Sequence, residues 1–321
     1  MKILAVDDDE VIRGLLSEIL KVIGFQDVTF AASGKEALNI LQAAKDPFEC
    51  FLLDIEMPGM TGITLVSHIR KMPEYARTPI LMVTSLAERV YVDNAFAAGA
   101  TDYVNKPIDA AEMHARLQLV SELVTERKKA KGASADGTDV AHAPADTSAR
   151  LHIDNVDGVI DYLSLENYLL QLSRLSLFGN CAFGVAIKDS KHLFHGLNSY
   201  EFHSAITDVA EALSECLKPH RFFLAHIGGG DFAGITDAGR RFDASEFEIA
   251  VVQKLREMDL YYSNGRPMVV HIAVSDPIQL DWRSSRSSVN ALLEAVGDAE
   301  QKTLSPSDAL IEINPPVKPG H

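Results

Sequence analysis

The sequence predicts an α/β chain in two folded parts: a doubly wound (βα)5 domain on a parallel sheet, a flexible linker, and a second α/β or α+β domain with a central sheet. Two observations predict the first part. Short apolar runs of strand length alternate with stretches whose apolar residues recur every three or four positions, as strands joined by helical crossovers do. Several of those runs also end in residues with chemistry to offer. A third observation divides the chain. From residue 130 to about 150 the composition turns to Ala, Gly, Asp, Ser and Thr, which buries too little to fold alone.

The elements follow in order. Lys2-Ile3-Leu4-Ala5-Val6 reads as the first strand and ends in Asp7-Asp8-Asp9-Glu10. Residues 11–20 space their apolar side chains as an amphipathic helix that Gly24 closes. Residues 34–41 form the next helix. Cys50-Phe51-Leu52-Leu53 is a buried-type strand that delivers Asp54, with Met57-Pro58-Gly59 turning the chain behind it, and residues 65–70 return to helical spacing. Pro79-Ile80-Leu81-Met82-Val83 ends in Thr84-Ser85, and Thr101-Asp102-Tyr103-Val104 ends in Asn105-Lys106-Pro107. Residues 111–120 form the last helix, which the charge-rich Thr125-Glu126-Arg127-Lys128-Lys129 prolongs.

Open α/β sheets bind ligands at the C-terminal ends of their strands. Asp7, Asp8, Asp54, Thr84 and Lys106 all fall at such ends, which predicts one pocket holding carboxylates, a hydroxyl and a cation. Clustered carboxylates need positive charge among them, and an all-oxygen donor set suits Mg²⁺. Metal, Lys106 and Thr84 would then hold a phosphoryl group on Asp54. Asp9 reads instead as a helix N-cap.

In this order and register, residues 1–127 resemble a two-component response-regulator receiver domain. The resemblance implies that Asp54 accepts phosphate from a sensor histidine kinase or a phosphotransfer protein. It further implies that Asp7, Asp8, Asp54 and the backbone carbonyl of Glu56 hold Mg²⁺, and that Thr84 and Tyr103 form the switch, with the hydroxyl moving toward the phosphate and the ring turning inward.

The formal net charge of −15 argues against a nucleic-acid-binding output. No run reaches the ~18 apolar residues of a membrane span, and acids follow the N-terminus too soon for a signal peptide, so a cytoplasmic protein without membrane partners is expected. The three cysteines, Cys50, Cys181 and Cys216, lack metal spacing and read as small buried hydrophobes. The domain boundaries expected are a receiver-like part over 1–127, a linker over 128–150, a second domain over 151–303 and a tail over 304–321.

In the second part, residues 180–187, 222–227 and 268–274 are strand-like, with helical spacing over 206–217 and 247–258. Gly228-Gly229-Gly230-Asp231-Phe232 lies between two strands. With Asp157-Gly158-Val159-Ile160, Asp189 and Asn264-Gly265-Arg266-Pro267, it resembles a degenerate GGDEF, or diguanylate cyclase, domain. The departures are several. Gly230 stands where that family carries an acid, Asp231 shortens the usual Glu, and Lys191 replaces a second acid beside Asp189. Leu193-Phe194, Leu197-Asn198 and Pro219-His220-Arg221-Phe222 fill other motif positions. Two-metal chemistry on GTP needs those carboxylates, and losing one preorganised group typically costs on the order of 10²–10³ in rate. The expectation is therefore no cyclase activity, and an output domain that acts on a protein partner, a second copy of the chain included.

The alternative is a nucleotide-responsive effector that binds GTP or cyclic di-GMP, or a weakly active cyclase. Lys191 could replace a metal's charge, and a Gly-rich turn can present N–H groups to an anion. The plainer reading of the three glycines is a tight hairpin kept for its backbone geometry. His192, His195 and His203 have no completing acid or Cys and read as surface or partly packed residues.

Overall fold

The computed structural model describes residues 1–133, 145–281 and 283–304. The first part is a five-stranded, wholly parallel sheet of β1 (Ile3–Val6), β2 (Val28–Ala31), β3 (Cys50–Leu53), β4 (Ile80–Thr84) and β5 (Asp102–Asn105), in the order β2-β1-β3-β4-β5. The helices are α1 (Glu10–Val22), α2 (Gly34–Ala43), α3 (Gly62–Arg70), α4 (Arg89–Ala97) and α5 (Ala110–Ala133). Leu16 and Leu20 of α1 pack with Met113, Leu117 and Val120 of α5 on one face. Apolar residues of α2, α3 and α4 cover the other. The doubly wound (βα)5 expectation is met.

Capping chemistry fixes where the helices start. Asp9 accepts from the Val11 amide, Ser33 from Glu36 and Thr61 from Thr64, each satisfying a donor that the helix itself leaves open. Gly62 begins α3 against the Asp54 backbone, and a Cβ there would sit 1.9 Å from the Asp54 carbonyl oxygen. Only glycine lets the β3–α3 turn close this tightly over the strand end.

The second part is built on an antiparallel sheet, which corrects any reading of it as parallel α/β. Its strands are β6 (Cys181–Ile187), β7 (Phe222–Gly228), β8 (Asp231–Thr236), β9 (Ile272–Val274) and β10 (Ile278–Gln279), ordered β10-β6-β8-β7 with β9 also on β6. The strand expected over 268–274 pairs only from Ile272. The four residues before it run outside the ladder, while Pro267 bridges Tyr261 to close the 264–267 turn. Helices α6 (Tyr162–Gln171), α7 (Arg174–Leu177), α8 (Ser190–Leu193), α9 (Ser199–Leu217), α10 (Ala244–Glu257) and α11 (Ser285–Leu304) complete it. α9 and α10 cover one sheet face, and α6 and α11 the other.

The expected linker needs correction at both ends. Helix α5 continues to Ala133. Residues 145–151 are not a free tether, because the Gly229 amide donates to the Thr147 carbonyl at 2.6 Å, Ala145 N–H to Leu197, and Leu151 N–H to His226 Nδ1. The middle of the linker and residues 305–321 of the tail lie outside the described residues.

Helix α6 joins the two parts. Leu165, Tyr168 and Leu169 share one continuous apolar cluster with Val92, Phe96 and Tyr103 of the first part and with Phe223 and Ile235 of the second sheet. Tyr168 meets Phe96 edge-on at 5.5 Å and Phe223 at 4.7 Å. Such contacts add to the area they bury.

Gly62→Ala should destabilise the chain by on the order of 1–3 kcal/mol, because backbone must shift to admit the methyl group. A lower melting temperature with unchanged helix content by circular dichroism is the expected result.

Candidate functional site: a strand-end carboxylate pocket

Because β1, β3, β4 and β5 are parallel and adjacent, the residues after them converge on one edge of the sheet. Asp7 follows β1, Asp54 follows β3, Thr84 ends β4 and Lys106 follows β5. The structure brings Asp7, Asp8, Asp54 and Lys106 together at this edge. Lys106 Nζ lies 2.7 Å from Asp7 Oδ2 and 3.1 Å from Asp54 Oδ2. Asp54 Oδ1 accepts the Ile55 amide at 2.8 Å, and Asp7 Oδ1 accepts the Asp9 amide at 3.0 Å. One oxygen of each carboxylate is thus fixed by backbone, and the other faces the ammonium.

Asp7, Asp54 and Thr84 are buried, whereas Asp8 and Glu56 are exposed. Burial raises the Asp7 pKa, against the hydrogen bonds from Lys106 and the Asp9 amide that oppose it. Burial alone would lower the Lys106 pKa, but the hydrogen bond to Asp7 and the charge of Asp54 outweigh it and hold the ammonium above its ordinary value. Asp7, Asp8 and Asp54 each offer an oxygen within 4.8 Å of the others. This all-oxygen set, open to solvent at Asp8, fits a hard divalent cation that keeps some of its waters.

Tyr103 is fully buried. Its hydroxyl donates to the Leu86 carbonyl, which tucks the ring beneath the β4–α4 loop, and Leu86 N–H in turn donates to Thr84 Oγ1 at 3.3 Å. The two expected switch residues therefore meet through Leu86, a residue that the sequence did not single out.

The second part arranges its motif differently. Gly228 and Gly229 have φ of +116° and +71°, and a Cβ on Gly228 would come 2.5 Å from the Ser148 carbonyl. The backbone at 147–148 thus lies across the turn. Asp231 is hydrogen-bonded to Glu300 of α11, and burial plus the Glu300 charge pushes its pKa up to about 7. Asp189 and Lys191 are exposed, Asp189 with φ +54° at the start of α8. Among the described residues, no set of three ligating side chains like that of Asp7, Asp8 and Asp54 forms in the second part. His226 is buried between Phe202 and Phe232, which lowers its pKa to about 4, and Nδ1 accepts the Leu151 amide. Glu300 was not anticipated, since nothing in its helical spacing points to Asp231.

A doubly wound domain with acids, a hydroxyl and a lysine at its strand ends is the receiver class of α/β domain, and known proteins agree. The family model for the response regulator receiver domain matches residues 3–118. Chemotaxis protein CheY-3 of Vibrio cholerae is 37% identical over 122 residues, which is 38% of this chain and 92% of that protein. Chemotaxis protein CheY of Pseudomonas aeruginosa is 36% identical over 124 residues, 39% of this chain and 98% of that protein. The solved structure of Vibrio cholerae CheY4 is 38% identical, spans 37% of this chain and 97% of its own, and gives a TM-score of 0.35. The chain belongs to the response regulator family through its N-terminal receiver domain. No helix among the described residues is long and apolar enough to cross a membrane.

The raised Asp231 sets a pH signature. In the unfolded chain an Asp ionises near ~4, so between about pH 4 and 7 the folded state binds the extra proton and stability falls as pH rises. Asp231→Asn removes that slope. The melting temperature of the variant should therefore rise relative to the parent chain on going from pH 5 to pH 8.

Proposed function

We propose that the chain is a phosphorylation-dependent signalling adaptor. Asp54 takes a phosphoryl group from a histidine kinase or phosphotransfer protein, and the second domain acts through protein contacts rather than catalysis. The observation that carries the first half is the Lys106 ammonium bridging Asp7 and Asp54 at one strand edge.

The chemistry is displacement at phosphorus. A carboxylate oxygen of Asp54 forms the new P–O bond, and the donor imidazole leaves with the electron pair of the P–N bond. Lys106 offsets the charge gathering on the phosphoryl oxygens, and the Thr84 hydroxyl supplies a donor to one of them. Asp7, Asp8, Asp54 and the Glu56 carbonyl are the residues that would hold Mg²⁺. When bound, that ion neutralises charge between carboxylate and phosphoryl group.

Asp54→Asn keeps the side chain's shape and removes the nucleophile. With acetyl phosphate and Mg²⁺, labelling should fall to background, and substantial residual labelling would place the acceptor elsewhere. Asp8→Ala should weaken Mg²⁺ binding and slow labelling together. A slower rate at unchanged Mg²⁺ affinity would remove Asp8 from the ligand set.

Three features support a non-catalytic second domain. Gly230 supplies no carboxylate, Asp231 is engaged with Glu300, and the main chain at 147–148 crosses the glycine turn. GTP with Mg²⁺ or Mn²⁺ should yield no cyclic di-GMP by chromatography, with or without beryllofluoride on Asp54. Turnover that disappears in Asp231→Ala would favour the enzyme instead.

A further inference from the structure

The turn from β1 into α1 carries two of the three clustered carboxylates, and Arg13 closes it. Arg13 lies one helical turn beyond the N-cap Asp9, its amide donating to the Asp9 carbonyl at 3.0 Å. Its half-buried side chain reaches back, and Nη1 donates to the Asp7 carbonyl at 2.7 Å. Strand β1 has ended at Val6, so a helix-borne guanidinium takes the place of a strand partner there. Among the described residues no carboxylate comes within ion-pair distance of Arg13, and its charge is committed to main chain.

The two acids of the turn are held unequally. Asp7 has its own anchors, because Oδ2 faces Lys106 Nζ at 2.7 Å and Oδ1 accepts the Asp9 amide at 3.0 Å. Asp8 is exposed, and among the described residues no hydrogen bond or ion pair fixes its side chain. Where its carboxylate points therefore depends on the backbone that leads into it. The Asp7 carbonyl belongs to the planar peptide group joining Asp7 to Asp8, so the Arg13 bond sets the orientation of that plane.

We propose that Arg13 is a positioning residue of the carboxylate pocket, which holds the β1–α1 turn so that Asp8 is presented to a divalent cation. The proposal rests on the reading of Asp7, Asp8 and Asp54 as the ligands. Two effects of the guanidinium oppose each other. Its charge repels a cation, but the pocket is open to solvent at Asp8, where salt screens such repulsion. Its hydrogen bond orders a ligand, and loss of a partner of that kind typically costs about 10–100-fold in metal affinity. The ordering wins, and the two effects differ in sign.

The test uses the full-length chain, Arg13→Ala, Asp8→Ala and the double variant, with melting checked for each. Mg²⁺ affinity is measured at equilibrium from displacement of Mn²⁺, followed by electron paramagnetic resonance, in about 1 M KCl, where screening sets in beyond ~3 Å. Arg13→Ala should bind Mg²⁺ about tenfold more weakly. In the Asp8→Ala background the same substitution should cost less than about twofold, since the ligand it orders is gone. An Arg13→Ala affinity within about twofold of the parent, or tighter, would overturn the proposal, and so would a loss repeated in full without Asp8. Arg13→Met keeps the stem and drops the donor, and it decides the matter by the same measurement if Arg13→Ala folds poorly. A parent chain that binds neither ion would overturn the ligand reading itself, and the proposal with it.

Discussion

The first domain is organised by an unequal charge balance at one edge of a parallel sheet. Strand order places three carboxylates, Asp7, Asp8 and Asp54, against one ammonium, Lys106. Two of those carboxylates are buried, where an unpaired charge costs several kcal/mol. Backbone amides at Ile55 and Asp9 and the single lysine offset part of that cost. The remaining negative charge is what a divalent cation complements. The close glycine at Gly62 and the N-caps at Asp9 and Thr61 serve the same end, because they hold the loops that carry these side chains.

Most of this domain was legible in the sequence because its signals are local. A buried parallel strand reads as an uninterrupted apolar run, and Cys50-Phe51-Leu52-Leu53 is buried throughout. Val28–Ala31 gave no such run. It lies at the opposite edge of the sheet and is only half-buried for three of its four residues. The second domain was less legible for related reasons. Residues 268–271 have strand composition yet find no ladder partner before Ile272. Glu300 meets Asp231 only through the packing of α11 on the sheet, which no spacing rule reports.

Helix α6 shows how a strong signal can be passed over. Residues 162–170 carry apolar side chains nearly all round the helix, and such a helix has to be buried on more than one side. Here one side lies on the second sheet and the other on α4 and β5 of the receiver domain. Two of the helix's polar residues, Asn167 and Gln171, satisfy the edge carbonyls of Thr101 and Tyr103. An uncovered edge strand invites pairing with another chain, and α6 closes this one. A second copy would therefore have to use some other face, or displace α6, to dimerise through β5.

The glycine turn makes a separate point about inference from motifs. Gly228, Gly229 and Gly230 all have positive φ, so the hairpin between β7 and β8 depends on them whatever the domain does. Its carboxylate, by contrast, is hydrogen-bonded to Glu300 of a neighbouring helix and held above the usual carboxylate range by burial and by that charge, and its outer surface carries the chain's own backbone at 147–148. Those two facts separate geometry from chemistry. A motif's glycines can be kept by the fold alone, whereas its acids are kept only by what they bind. The hairpin geometry by itself accounts for the three glycines. The chemistry of the turn rests instead on Asp231, whose partner is Glu300 of α11.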